Sequence, residues 1–111
     1  MRRSPSGGGR IVNVAARPVL VPAPNMIAYA AAKAGVASLT QTLGKELVDE
    51  GILVNAVLPS LFDTPANRAA MPDADHSKWP KPDEIAQTIL FLLSPENRLT
   101  TGTLVPVYGR V

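Results

Sequence analysis

Apolar and polar positions divide the chain into short β-branched runs separated by one long periodic stretch and several proline-marked breaks. Residues 10–16 set Ile11, Val12 and Val14 among small alanines, between Gly9 and Pro18. Apolar on both alternating faces, this run predicts a buried strand in a parallel sheet covered by helices. Pro18, Pro22 and Pro24 mark residues 17–26 as a loop, with Asn25 as a candidate side-chain cap for the element that follows. From Ile27 to Glu50 there is no proline, alanine is frequent, and Leu39, Leu43 and Leu47 recur every fourth position. That pattern predicts a long helix with an apolar leucine stripe, stopped by Gly51.

Ile52 to Leu58 predicts a second buried strand, ended by Pro59. Prolines at 59, 65, 72, 80 and 82 make the next stretch a long connection, with a helical turn or two around Ala66 to Met71. Pro82 and Asp83 open a helix to about Leu93 that turns Ile85, Ile89, Leu90, Leu92 and Leu93 inward and ends at Ser94 and Pro95. Thr103 to Tyr108 predicts a third strand. The order strand, helix, strand, loop, helix, strand predicts an α/β layered sheet with right-handed parallel crossovers.

The 111 residues amount to one small domain, and 46% hydrophobic with 18% charged residues is a composition that folds. The absence of cysteine excludes disulfides, thiolate catalysis and cysteine-based metal sites. His76 is the only histidine, which removes two-histidine metal motifs, so no metal is expected. The net charge of +2 conceals an asymmetry: residues 1–45 carry six basic and no acidic side chains, residues 46–111 five basic and nine acidic. The basic residues are scattered and not interleaved with aromatics, so nucleic acid is not an expected partner. Residues 1–9 predict a flexible Ser/Pro/Gly tail. The apolar stretch after it is broken by Arg17 and three prolines, which argues against a signal peptide or membrane helix and for a cytoplasmic protein.

Tyr29 and Lys33 stand four apart on the predicted long helix, about 40° from each other around its axis, so both can face one ligand. A phenol is a poor acid or base at neutral pH, and a neighbouring cation favours its phenolate form, which lets it exchange a proton with a substrate. On spacing alone, a packed ring and a solvated lysine is the commoner reading.

The surroundings of the pair shift that balance. The segment GRIVNVAA, a loop, and then AYAAAKAGV resembles the second half of the short-chain dehydrogenase/reductase family, whose Tyr-x-x-x-Lys motif matches Tyr29 and Lys33. Val54 to Pro59 is similar to the family's VNxVxPG strand end, with Thr64 at its threonine position. The resemblance runs from about residue 9 to 110. It implies a partial Rossmann-like doubly wound parallel sheet of about three strands and two to three helices, residues 10–111 forming the carboxyl-terminal half of the oxidoreductase domain. It further implies NAD or NADP as cofactor, a small-molecule substrate and hydride transfer to or from a carbonyl or pterin-like imine. Tyr29 would handle the proton at the substrate, and Lys33 would bind the nicotinamide ribose and favour phenolate. Pro59, the backbone of Phe62, and Thr64 would line the nicotinamide and pyrophosphate. For Thr64 the structural alternative is a helix cap.

Two positions depart from the family pattern. Ala16 stands where the family has its catalytic serine, and Ser60 where it usually has glycine. Residues 59–80 resemble dihydropteridine reductase-like members, a branch that also carries alanine at the serine position, in keeping with a quinonoid pterin being a more reactive hydride acceptor than a ketone. The family's glycine-rich turn and Asn-Asn-Ala-Gly segment do not occur in these residues, so the isolated chain is expected to be inactive. The long helix, with small residues at Ala30, Ala31, Ala34, Gly35, Ala37 and Ser38, is the expected homo-oligomer contact. The alternative is a truncated, non-catalytic paralogue serving as a dimerisation or interaction module.

Overall fold

In the computed structural model, which describes residues 8–111, three strands run parallel in the order β1 (Gly9–Val14), β2 (Ile52–Pro59), β3 (Leu104–Val107). Gly9 thus belongs to a strand rather than to a lead-in, while residues 1–7 of the expected tail lie outside the described residues. Register places Val14 opposite Val57 and Pro59 opposite Val107. β2 is central because it is apolar on both faces: Val54, Ala56, Val57 and Leu58 are fully buried.

Alternate residues of β2 face opposite layers. Ile52 and Val54 pack with Leu43 and Leu47, and Ala56 and Leu58 with Val36, all from α1 (Ile27–Leu47). On the other face, Arg10 and Asn55 reach the segment after α3 (Pro82–Leu93), and α3 itself contacts β1 and β2. Helices therefore cover both faces of this α/β, Rossmann-like sheet. Since β1, β2 and β3 advance in one direction while α1 and α3 lie on opposite faces, their crossovers cannot share a hand, against the uniform right-handed pattern that the element order predicts. The long connection after β2, which includes α2 (Pro65–Ala70), is what lets the chain change faces.

Several local expectations are corrected. The first strand stops at Val14 and not Ala16, and the third spans Leu104–Val107. The long helix tightens into a 3-10 turn over Val48–Glu50 before Gly51, at φ 74, ends it. Asn25 is no cap: it takes φ 63, a left-handed conformation asparagine tolerates, and the Met26 carbonyl accepts the first helical bond from the Ala30 N–H at 2.8 Å. The buried side of α1 carries Ala37, Thr40, Gly44 and Leu47, whereas Leu39 of the predicted stripe is 54% exposed. Close approach governs part of this: a Cβ on Gly44 would lie 2.7 Å from Gly102 Cα, so that position takes no side chain, while Leu43 and Leu47 pack on the sheet and Leu39 alone of the stripe faces outward. On α3, Leu92 is buried, but Leu90, about 160° from it around the helix, is exposed, as is Leu93.

Buried asparagines fasten the far side. Asn55 Nδ2 donates to the Thr100 carbonyl at 2.8 Å and its Oδ1 accepts from the Thr103 N–H at 3.1 Å. Asn97 Nδ2 donates to the Leu92 and Thr100 carbonyls, and its Oδ1 accepts from the Thr100 N–H. Together they fix the loop that delivers β3.

Candidate active site

The carboxyl ends of parallel strands are where open α/β sheets hold ligands, since the helices start there and the sheet ends. Here β1 gives way to buried Ala15 and Ala16, then to a 3-10 turn over Arg17–Val19. The Ala15 N–H still donates to the Val57 carbonyl at 2.9 Å, so Ala16 is delivered from a paired strand end. The first turns of α1 stand above this point. Further along, α1 is tied to β1 by a relay: Asn13 Nδ2 donates to Thr40 Oγ1 at 3.0 Å, and Thr40 Oγ1 donates to the Val36 carbonyl at 2.8 Å. A polar Asn13 inside an apolar strand run was the available sign of it.

Tyr29 and Lys33 come together as their spacing predicts. The Lys33 ammonium lies 6.0 Å from the Tyr29 ring centroid and donates to the Val14 carbonyl at 3.1 Å. The Tyr29 ring is 47% exposed and borders a pocket of about 390 Å³ shared with Ala16, Arg17, Pro59, Ser60 and Leu61. Ala16 and Tyr29, the serine-equivalent and tyrosine positions of the resemblance, thus meet at one cavity.

Phe62 and Thr64 do not line that cavity. Thr64 Oγ1 caps α2, accepting the Asn67 N–H at 3.1 Å, and the Phe62 carbonyl accepts from Asn67 Nδ2 at 2.8 Å. Thr64 still has its hydroxyl proton to give, because a cap uses only an acceptor site. The loop is further held by Asp63, whose carboxylate takes Nε and Nη2 of Arg68 and whose N–H donates to the Pro80 carbonyl at 2.8 Å. The Arg68 hydrogen bond, opposed by desolvation and aided by its charge, holds the Asp63 carboxyl below the ordinary aspartate value. Asp75 is lowered likewise by the Ser77 hydroxyl and N–H. Trp79 is buried, with the His76 ring 4.6 Å away and His76 Nε2 2.8 Å from the Met71 carbonyl oxygen.

Arg17 is the site residue that sequence reasoning passed over as one of several scattered cations. Its position, directly after Ala16 at a strand end, was the signal. Among the described residues no cluster of three metal-ligating side chains occurs, and no helix is long and apolar enough to cross a membrane.

A family model described as enoyl-(acyl carrier protein) reductase matches residues 1–109. The 3-oxoacyl-[acyl-carrier-protein] reductase of Thermotoga maritima is 38% identical over 109 residues, covering 91% of this chain and 44% of that protein. The cyclohexanol dehydrogenase of an Acinetobacter strain is 37% identical over 110 residues, covering 94% of this chain and 43% of that protein. Among solved structures, acetoin dehydrogenase from Enterobacter cloacae superposes with a TM-score of 0.79 at 38% identity, covering 92% of this chain and 42% of that one. An actinorhodin polyketide ketoreductase solved with NADPH gives a TM-score of 0.79 at 29% identity, covering 94% of this chain and 47% of that one. The chain spans less than half the length of these relatives.

Proposed function

Because the chain belongs to the short-chain dehydrogenase/reductase family, we propose that it carries the proton-handling half of an NAD(P)-dependent oxidoreductase site, with Tyr29 and Lys33 as its working pair. The observation that carries this reading is the meeting of Tyr29 and Ala16 at one strand-end cavity, with the Lys33 ammonium 6.0 Å from the Tyr29 ring centroid and bonded to the Val14 carbonyl. A nicotinamide cofactor fits the residues present at its nicotinamide end. An ammonium has three donors, and Lys33 spends one on Val14, leaving two for ribose hydroxyls. Pro59 stands at the cavity wall, and the Phe62 backbone and the Thr64 hydroxyl follow it on the same loop.

When bound, the cofactor supplies or accepts the hydride at the substrate carbon. Tyr29 Oη gives a proton to the substrate oxygen or nitrogen in reduction and takes it back in oxidation, so charge never accumulates on the heteroatom. Lys33 orients the ribose through the donors that Val14 leaves free. Ala16 brings no hydroxyl to polarise a carbonyl, which suits an acceptor that needs little polarisation, and a pterin-like imine is the substrate class this favours alongside carbonyl compounds. The choice between NAD and NADP falls to residues outside this half. Exposed Ile27 and Leu39 on α1 favour contact with a second copy, and if Tyr29 proved idle that contact would support the interaction-module reading.

Tyr29→Phe in a full-length context is expected to lower turnover by ~100-fold or more with cofactor affinity retained. A near-normal rate would remove Tyr29 from the chemistry. For the 111 residues alone, fluorescence titration with NADH and NADPH is expected to show no micromolar binding.

A further inference from the structure

Among the described residues, Arg17 is the only charged side chain lining the pocket beside Tyr29; apart from Ser60 and Tyr29 the other walls are alanine, proline, valine, methionine and leucine. Its guanidinium is held in place. Nη1 donates to Ser60 Oγ at 3.4 Å and to the Val111 main-chain oxygen at 2.9 Å, and Cζ lies 4.9 Å from the Tyr108 ring centroid.

Two other arginines show what this side chain leaves unused. Arg68 commits its Nε and Nη2 edge to both carboxylate oxygens of Asp63. Arg10 commits the same edge to the main-chain oxygens of Asn97 and Pro95. In Arg17 that edge makes no hydrogen bond, and no Asp or Glu pairs with it, among the described residues. Arg17 lines an otherwise apolar pocket with its Nε and Nη2 donors unspent, and two parallel N–H donors match a planar carboxylate, a contact that apolar walls strengthen.

We infer that Arg17 selects substrates bearing a carboxylate, which its Nε/Nη2 edge holds while the reacting group faces Tyr29. The inference rests on the oxidoreductase reading for where reaction occurs, but binding can be read without turnover. The full chain is titrated with cyclohexanecarboxylate and, separately, with its neutral isostere cyclohexanecarboxamide. NMR follows the Arg17 side-chain Nε–H and the amides of Arg17 and Ser60. The carboxylate is expected to bind about tenfold or more tightly than the amide, with the Arg17 Nε–H shifting most. Arg17→Gln is expected to abolish the preference. Because losing the contacts to Val111 and Tyr108 can loosen the fold, Arg17→Lys is the companion variant: it keeps the cation without the two-donor edge and should retain only part of the preference. Equal binding of the two probes, no binding of either, or an undiminished preference in Arg17→Gln would each overturn the inference. None of these results touches the Tyr29→Phe experiment, which reads turnover, so the two readings fail separately.

Discussion

The two flanks of α1 obey different rules. Toward the sheet, Ala37, Thr40 and Gly44 are buried, Gly44 so close to Gly102 that an added Cβ would collide with it, and beneath them β2 is largely sealed from solvent. Away from the sheet, Ile27 is 88% exposed, and Leu39 and Tyr29 also face outward. The inner flank is complete within this chain. The outer flank and the edge of β1, unpaired among the described residues, are apolar surfaces of the kind that other elements or subunits cover. The proposed chemistry sits on the boundary between them, on a helix whose inner side is immobilised and whose outer side remains accessible.

If that contrast is right, substitutions should differ sharply in cost by flank. Leu58→Ala, in the sealed strand, should destabilise by about 2–5 kcal/mol in chemical denaturation. A loss below ~1 kcal/mol would mean the interior is looser than its burial indicates. Asn55→Ala should cost about 1–3 kcal/mol, because the Thr100 carbonyl and Thr103 N–H lose their partner. The Asp63–Arg68 pair sits on an exposed loop and should matter less. Since the folded Asp63 is held below its unfolded value of ~3.9, its contribution is full above that pH and disappears as acid titrates through the folded value. Thermal melts of Asp63→Asn and the parent should therefore differ slightly at neutral pH and draw together in acid, below the unfolded value. Smallest of all, Leu39→Gln on the outer flank should stay within ~0.5 kcal/mol; a larger loss in a monomeric sample would dissolve the distinction between the flanks.

The same contrast explains what could be read from the sequence. Proline and glycine positions are local rules, and Gly51, Pro59 and Pro82 marked element ends within a residue or two of where they occur. The Tyr29–Lys33 spacing is likewise local, and it survived folding. Which side of a helix is buried is a tertiary matter: of the leucine stripe, Leu43 and Leu47 meet the sheet but Leu39 does not, because the buried side also takes in Gly44, which fits against Gly102. Asn25 failed as a cap because its left-handed conformation answers to the path of the preceding loop. Only the place of Arg17 after Ala16 could be read locally; what holds its side chain could not, because its partners, Ser60, Tyr108 and Val111, lie 43 or more positions away.

The bond from Lys33 to Val14 ties the pair to the sheet margin. With Ala15 donating inward to Val57, the alternation of a strand turns the Val14 oxygen toward the margin that no neighbour occupies among the described residues. A strand joining there would reach the same oxygen as the ammonium, and the second lone pair of that oxygen lets it take both, so assembly at the margin and the donors offered to a ligand bear on one atom.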